Sequence, residues 1–142
     1  MLSVHVLENG IAPCRKTNGA AAYDLFTPEP LALGEGLHKI NLKIKIQLPP
    51  NTFGSIRCRS SLAKKGCSVE AGVIDEDYRG EVAVMLRTRD SLLLPKGHAI
   101  AQLIIQPFLK PIVKIVNSLD TTVRGIGGFG STDKKVLADV NQ

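Results

Sequence analysis

Residues 40–48, INLKIKIQL, put Ile40, Leu42, Ile44, Ile46 and Leu48 on one side of an extended chain and Asn41, Lys43, Lys45 and Gln47 on the other. Side chains alternate faces in a strand, so this period of two specifies a half-buried strand with one wet face. Pro49 and Pro50 end it, and the stretch PPNTFG turns the chain. EVAVML (81–86), which follows the turn residues DYRG, reads as a second strand, and AIAQLII (99–105) and PIVKIV (111–116) read as two more. No segment carries a long apolar period of 3.6 residues, although SSLAKKG (60–66) fits one helical turn. Short strands punctuated by proline and glycine make an all-β sandwich or barrel the expected fold. The first dozen residues are expected to add an edge strand, and the last ten to be mobile. No linker, repeat or second domain is visible.

At 142 residues the chain is long enough for one domain with a real core, and its 44% hydrophobic content is ordinary for a globular protein. It holds no run of 18 apolar residues that would span a membrane, and MLSVHVLENG lacks the basic start and long apolar stretch of a signal peptide. Three cysteines, Cys14, Cys58 and Cys67, have no metal-type spacing and are expected to be free thiols in a reducing, intracellular compartment. The net charge of +5 is spread in singles and pairs such as Lys64-Lys65, with 4% aromatics and no tryptophan. A nucleic-acid groove concentrates its charge and interleaves stacking aromatics, so no nucleic-acid partner is expected. A polyphosphate ligand is compatible with a modest positive excess.

The stretch RGIGGFGST (124–132) is the least ordinary in the chain. Gly125, Gly127 and Gly130 match the dinucleotide spacing GxGxxG, which needs a helix after it and a βαβ unit of ~30 residues around it. Only 12 residues follow Gly130, which excludes that reading. A phosphate-binding P-loop is excluded too, since Ser131 stands where its lysine must be. A frayed tail explains the glycines but not their interleaving with Arg124, Phe129, Ser131 and Thr132. Exposed N–H groups, two hydroxyls and a guanidinium suit a phosphate chain, and a lone phenyl ring can stack on a base. The composition points to a tail that folds over a nucleotide.

Four other stretches hold chemistry in unusual places. AAYDLF (21–26) sets Asp24 in an apolar frame, and RSSLA (59–63) joins an arginine to two hydroxyls. GVIDEDYRGE (72–81) gathers four carboxylates around Tyr78 and Arg79, and KGHAIAQLI (96–104) carries Gln102 in a strand. Singly, each has a plain structural explanation as a turn cap, loop polarity or solvent-facing side chain. Together and in this order, from about Ala20 to Thr132, they resemble the trimeric deoxyuridine triphosphatase family, the dUTPases, whose five motifs all have counterparts here.

That resemblance implies a jelly-roll-like β-barrel of the dUTPase type over residues 1–123, with a flexible C-terminal tail over 124–142. It implies Mg²⁺-dependent hydrolysis of dUTP to dUMP and pyrophosphate, which keeps uracil out of DNA and supplies dUMP for dTMP synthesis. It makes Asp75 the base that activates water for attack at the α-phosphate, and Asp24 the metal-associated carboxylate, acting through water. Arg59, Ser60, Ser61 and Gln102 would contact the phosphates. Gly72, Val73 and Ile74 would read uracil through backbone groups and so reject cytosine, and the ring of Tyr78 would exclude a 2′-hydroxyl. Arg124 would meet the γ-phosphate, Phe129 would cover the base, and Gly130, Ser131 and Thr132 would wrap the phosphates as a lid. It implies a homotrimer with shared active sites and an intracellular setting, cytoplasmic or nuclear, in a cellular or virus-encoded protein.

The chain departs from the family's usual motifs at Ala22, Ser61, His98, Ala99 and Asp133. Ser61 makes RSS, which also occurs in dCTP deaminases of the same fold, so dCTP deamination is an alternative reaction. A non-catalytic binding protein on this fold is a second alternative, from a different class. Retention of Asp75, Arg124 and the glycine-rich motif argues against it.

Overall fold

The computed structural model describes residues 1–131. Among them run eleven strands and one helical turn: β1 (Ser3–Val6), β2 (Tyr23–Phe26), β3 (Leu31–Leu33), β4 (Gly36–Asn41), β5 (Ile44–Gln47), β6 (Thr52–Arg57), α1 (Ser60–Ala63), β7 (Ser68–Glu70), β8 (Val73–Ile74), β9 (Ala83–Thr88), β10 (Leu92–Leu94) and β11 (Ala99–Pro107). They pair as β2-β11-β6-β8, β4-β9-β7, β1-β5 and β3-β10, and each of these pairings is antiparallel. The architecture is all-β and jelly-roll-like, with four paired groups rather than one closed ring. β1 supplies the edge strand expected of the N-terminus by pairing with β5.

The alternating stretch 40–48 is not one strand. It divides into β4 and β5 at Leu42–Lys43, where Lys43 takes φ +57. The alternation survives the break: Ile40, Leu42, Ile44, Ile46 and Leu48 are all buried. β4 pairs with β9 and β5 with β1, so the break lets one apolar face serve two sheets. Its polar groups are satisfied locally. Leu42 N donates to Val82 O at 3.0 Å, Val82 N to Ile44 O at 2.9 Å, and Lys43 N to a Glu81 carboxylate oxygen at 3.0 Å. Glu81 therefore caps the break instead of opening a strand, and β9 begins at Ala83.

β11 is the spine of the largest sheet. It bonds β2 on one side and β6 on the other, and Ile100, Ala101 and Leu103 are fully buried. Burying a Leu or Ile side chain contributes about 1.5–3 kcal/mol, so this strand is held against both neighbours by its own core residues. Leu62, 1% exposed, pins α1 to the same core.

The chain divides into two compact units, Met1–Lys110 and a second beginning at Pro111. All eleven strands belong to the first. The expected strand at 111–116 does not form. Ile112, Val113 and Ile115 are between 88% and 96% exposed, and Pro111 has no N–H to give a ladder. Apolar alternation makes a strand only where another strand bonds its backbone, and among the described residues none does. The predicted mobility of the last ten residues concerns positions outside the described ones, as does Thr132.

Candidate active site

The structure brings Asp24, Arg59 and Gln102 together. Asp24 in β2 lies opposite Gln102 of β11, and Gln102 in turn lies opposite Arg57 of β6. Two residues beyond Arg57 the chain leaves the strand, and Arg59 becomes the residue that precedes α1, with extended backbone at φ −83 and ψ 145. Its Nε stands 3.1 Å from Asp24 Oδ1, and its Nη1 donates to the Ala99 carbonyl at 3.1 Å. Gln102 Nε2 donates to the Cys58 carbonyl at 3.0 Å and ties the approach to Arg59 to β11. Ser60 and Ser61 open α1 with both side chains exposed.

Asp24 is the single carboxylate of this cluster, and among the described residues no three His, Cys, Asp or Glu side chains converge on a metal position. One carboxylate flanked by cations fits a magnesium ion that keeps its own waters and is held mainly by substrate phosphates. It does not fit a cation caged by protein.

The hairpin residues form a second group. Ala71 takes φ +59 and Gly72 φ +106, so the backbone reverses before β8. A Cβ on Gly72 would sit 2.9 Å from the Ile56 carbonyl, and Ile56 N donates to Gly72 O at 2.7 Å. Glycine is needed there for conformation and for space. β8 ends the sheet: Ile74 and Val73 pair with Gly54 and Ser55 of β6, and among the described residues no strand pairs with the outer backbone edge of β8. An unpaired edge offers N–H and C=O groups in fixed positions, which can read the donor and acceptor pattern of a base.

Asp75 follows β8 and starts a turn closed by Tyr78 N donating to Asp75 O at 3.1 Å. Tyr78 OH donates to Glu81 O at 3.0 Å, and its ring covers Gly80, where any Cβ would collide with it. Gly72, Val73, Ile74, Asp75 and Tyr78 line one cleft of about 260 Å³, which also touches Val82 and Met85.

Arg124, Phe129, Gly130 and Ser131 lie in the second unit. There Arg124 Nε donates to Gly127 O at 2.9 Å, Ser131 N donates to Gly128 O at 3.0 Å, and Phe129 is fully exposed with φ +50. The glycines make successive turns that leave the ring outward, while the Ser131 hydroxyl lies back over Gly127.

Within the four-stranded sheet, Asp24 and the hairpin lie on opposite edges, β2 and β8, with β11 and β6 between. Three strand spacings are about 14 Å. One chain does not close a site around both groups through this sheet.

Several contacts were not visible in the sequence. Lys16 Nζ lies 3.9 Å from Asp24 Oδ2. Lys110 Nζ lies 2.7 Å from a Glu76 carboxylate oxygen, and Arg79 Nη1 donates to the Glu76 and Tyr78 carbonyls at 2.8 and 2.9 Å. Glu76 thereby steadies the turn that carries Asp75, and its carboxyl is held below the usual range by Lys110 and by an N–H of Asn51. Charge alternation in DEDYR hints at the Arg79 contacts, but the partnership with Lys110 depends on how β11 ends. His98, four residues before Gln102, is pushed below its ordinary value by burial and then by Arg59, Lys65 and Lys16. Cys14, Cys58 and Cys67 are free thiols as expected, and burial raises the latter two. No helix among the described residues is long and apolar enough to cross a membrane.

With that geometry in place, the comparisons are specific. A model of the dUTPase family matches residues 8–133. A deoxyuridine 5'-triphosphate nucleotidohydrolase of Paramecium bursaria Chlorella virus 1 is 41% identical over 136 residues, covering 93% of this chain and 96% of its own. That of Rattus norvegicus is 42% identical, covering 92% of this chain and 66% of its own. Among solved structures, the Staphylococcus bacteriophage 80alpha dUTPase with dUPNHPP superposes with a TM-score of 0.86 at 26% identity, covering 94% of this chain and 99% of that one.

Proposed function

The chain belongs to the dUTPase family, and from that premise we propose that it is a dUTP diphosphatase, hydrolysing dUTP to dUMP and pyrophosphate in the presence of Mg²⁺. The observation that carries the reading is the pair of groups on the two edges of one sheet. One is a cationic cluster with a carboxylate, and the other is a glycine-built strand edge with a carboxylate and a tyrosine.

The chemistry divides between them. The outer edge of β8, at Gly72, Val73 and Ile74, reads uracil, and a cytosine in its place would leave buried donors and acceptors unmatched. Tyr78, held by its bond to Glu81 O, lies under the deoxyribose and fills the space of a 2′-hydroxyl. Asp75 takes a proton from the water that attacks the α-phosphate. Arg59, Ser60, Ser61 and Gln102 orient the phosphates, with Arg59 kept in place by Asp24 and by Ala99 O. Asp24 would hold Mg²⁺ through water, and the ion would neutralise charge on the phosphate oxygens. In this reading residues 1–123 are the catalytic body and 124–142 the tail, whose Arg124, Phe129, Gly130, Ser131 and Thr132 close over the nucleotide.

Because the two edges are apart within a chain, the working unit is a homotrimer in which the hairpin of one copy faces the Asp24–Arg59 cluster of another. The relatives that the chain resembles include viral and eukaryotic proteins, and the setting we propose for the chain is intracellular. The decisive experiment measures pyrophosphate release from dUTP, UTP, dTTP and dCTP, with and without Mg²⁺, and ammonia release from dCTP. Turnover confined to dUTP and dependent on Mg²⁺ is expected. Ammonia from dCTP, or no pyrophosphate from dUTP, would overturn the proposal.

A further inference from the structure

We propose that Lys16 is a further substrate-binding residue, whose ammonium rests on Asp24 in the free chain and moves onto the β,γ-phosphates when dUTP arrives. The inference rests on the dUTPase reading of the site and adds to it a residue that none of the five motifs contains.

Asp24 faces two cations. Its two oxygens are approached from two sides, Oδ1 by Arg59 Nε at 3.1 Å and Oδ2 by Lys16 Nζ at 3.9 Å. The two cations differ in freedom. Arg59 is also bonded through Nη1 to Ala99 O, and its side chain is 24% exposed. Lys16 is 67% exposed, and its contact lies at the outer limit of an ion pair. An exposed pair at that distance is held weakly, so Lys16 gives up Asp24 at little cost. Arg59 is a fixed cation and Lys16 a movable one on the same carboxylate.

The backbone beneath Lys16 is placed for this role. Asp24 N donates to Cys14 O at 2.8 Å, which sets residue 14 beside β2. The Arg15 guanidinium lies 5.5 Å from the centre of the Tyr23 ring and donates through Nη1 to Asn18 O at 3.3 Å. Ala20 N donates to Thr17 O at 3.2 Å. The loop is thus fastened on both sides of Lys16, while the side chain itself is a flexible four-carbon stem with a compact charge at its tip.

The charge balance favours an anion. Asp24 contributes one negative charge, and Arg59, Lys16 and Lys65 all act on the neighbouring imidazole of His98 as positive charges. The surplus is positive before any ligand binds, which draws a triphosphate to this edge of the sheet. Asp24 would hold a hydrated cation carried by the phosphates, which would free Lys16 for the phosphate oxygens in the same small region.

The test separates phosphate binding from base binding. Calorimetry on the full chain would compare dUPNHPP with dUMP, for the unmodified protein, Lys16→Ala and Lys16→Arg, at low and high salt and with and without Mg²⁺. Lys16→Ala is expected to weaken dUPNHPP binding about fivefold to tenfold at low salt, with a smaller difference at high salt, and to leave dUMP unchanged. Lys16→Arg is expected to retain most of the affinity. Thermal midpoints of all three proteins should agree, since the side chain is exposed. Equal dUPNHPP affinity in Lys16→Ala, or an equal loss for dUMP, would overturn the inference. Failure of the unmodified protein to bind either nucleotide would overturn the reading of the site itself, and this inference with it.

Discussion

Around Asp24 the polar side chains already have partners: Arg59 bonds Asp24 and Ala99 O, and Gln102 bonds Cys58 O, which fastens the segment after β6 to β2 and β11 of one sheet. In residues 124–131 the bonds are local turns. Arg124 bonds Gly127 O, Gly125 N bonds Thr122, and Phe129 has no cover. The first region is organised before substrate arrives, and its groups need little reordering to act. In the proposed function the second is the cover for phosphates and base, on a backbone whose own bonds are only these local turns. Such a segment contributes affinity net of its ordering entropy, and it suits a part that must open for product to leave.

The largest effect should come from the organised body. Asp75→Asn keeps the carbonyl that closes the 75–78 turn and removes only the carboxylate, the proposed base. Turnover of dUTP is expected to fall ~10²–10⁴-fold while dUPNHPP still binds. Single-turnover rates and calorimetry check both halves. Near-normal turnover would take the base role from Asp75.

Tyr78 tests whether the body alone sets sugar discrimination. Tyr78→Ala removes the ring that rests on Gly80 and bonds Glu81 O. The ratio of kcat/KM for UTP to that for dUTP should rise roughly tenfold or more, since a steric exclusion of this size is worth 1–3 kcal/mol. Exclusion of dTTP should persist, because in the proposed site the β8 edge and not the tyrosine would meet the 5-position. An unchanged UTP ratio would assign the 2′ position to another residue.

The sharpest test of the two regions mixes them. A variant with Asp75→Asn and an intact C-terminus, and one ending at Val123 with Asp75 intact, should each be nearly inactive. In the proposed trimer the hairpin, the Asp24 cluster and the tail come from three copies. Refolded together in equal amounts, the variants should recover about a quarter of normal activity, because half the hairpins and half the tails are intact and they combine independently. No recovery, with mixed trimers confirmed by mass, would show that the tail serves its own chain's hairpin.

The same contrast explains what could be read from the sequence. Alternation at 40–48 and at 99–105 located core strands because a period of two survives whatever the strand pairs with. The division at Lys43 was not legible, since lysine has no preference for positive φ and the break is stabilised by Glu81, 38 residues away. The apolar run 111–116 misled for the converse reason: its alternation is real, but none of the described strands bonds its backbone. Site residues were legible as short motifs, whereas the pairs that hold them, Asp24 with Arg59 and Lys16 and Glu76 with Lys110, depend on register and on where strands end.

The smallest expected effect concerns His98, which borders the organised cluster from the β11 side. Burial and the charges of Arg59, Lys65 and Lys16 depress its pKa below the ordinary value of about 6.5. The folded state therefore binds fewer protons here than the unfolded state does. A depressed pKa contributes stability that is present above the unfolded value and is lost as pH falls towards the folded value. Between pH 7 and 5 the protein should lose stability partly through this group, and His98→Gln, which carries no proton to gain, should flatten that part of the profile. The shift in thermal midpoint should be at most a few degrees, since His98 is only partly buried. Triphosphate binding opposes the effect, because an anion beside the imidazole favours its protonated form. With dUPNHPP bound, the difference between the two proteins across this pH range should shrink or reverse, whereas dUMP should leave it nearly unchanged. Thermal melts of both proteins at pH 7, 6 and 5, alone and with each nucleotide, measure it. Parallel profiles for His98→Gln and the unmodified protein in all three conditions would show that His98 does not sense the phosphate edge.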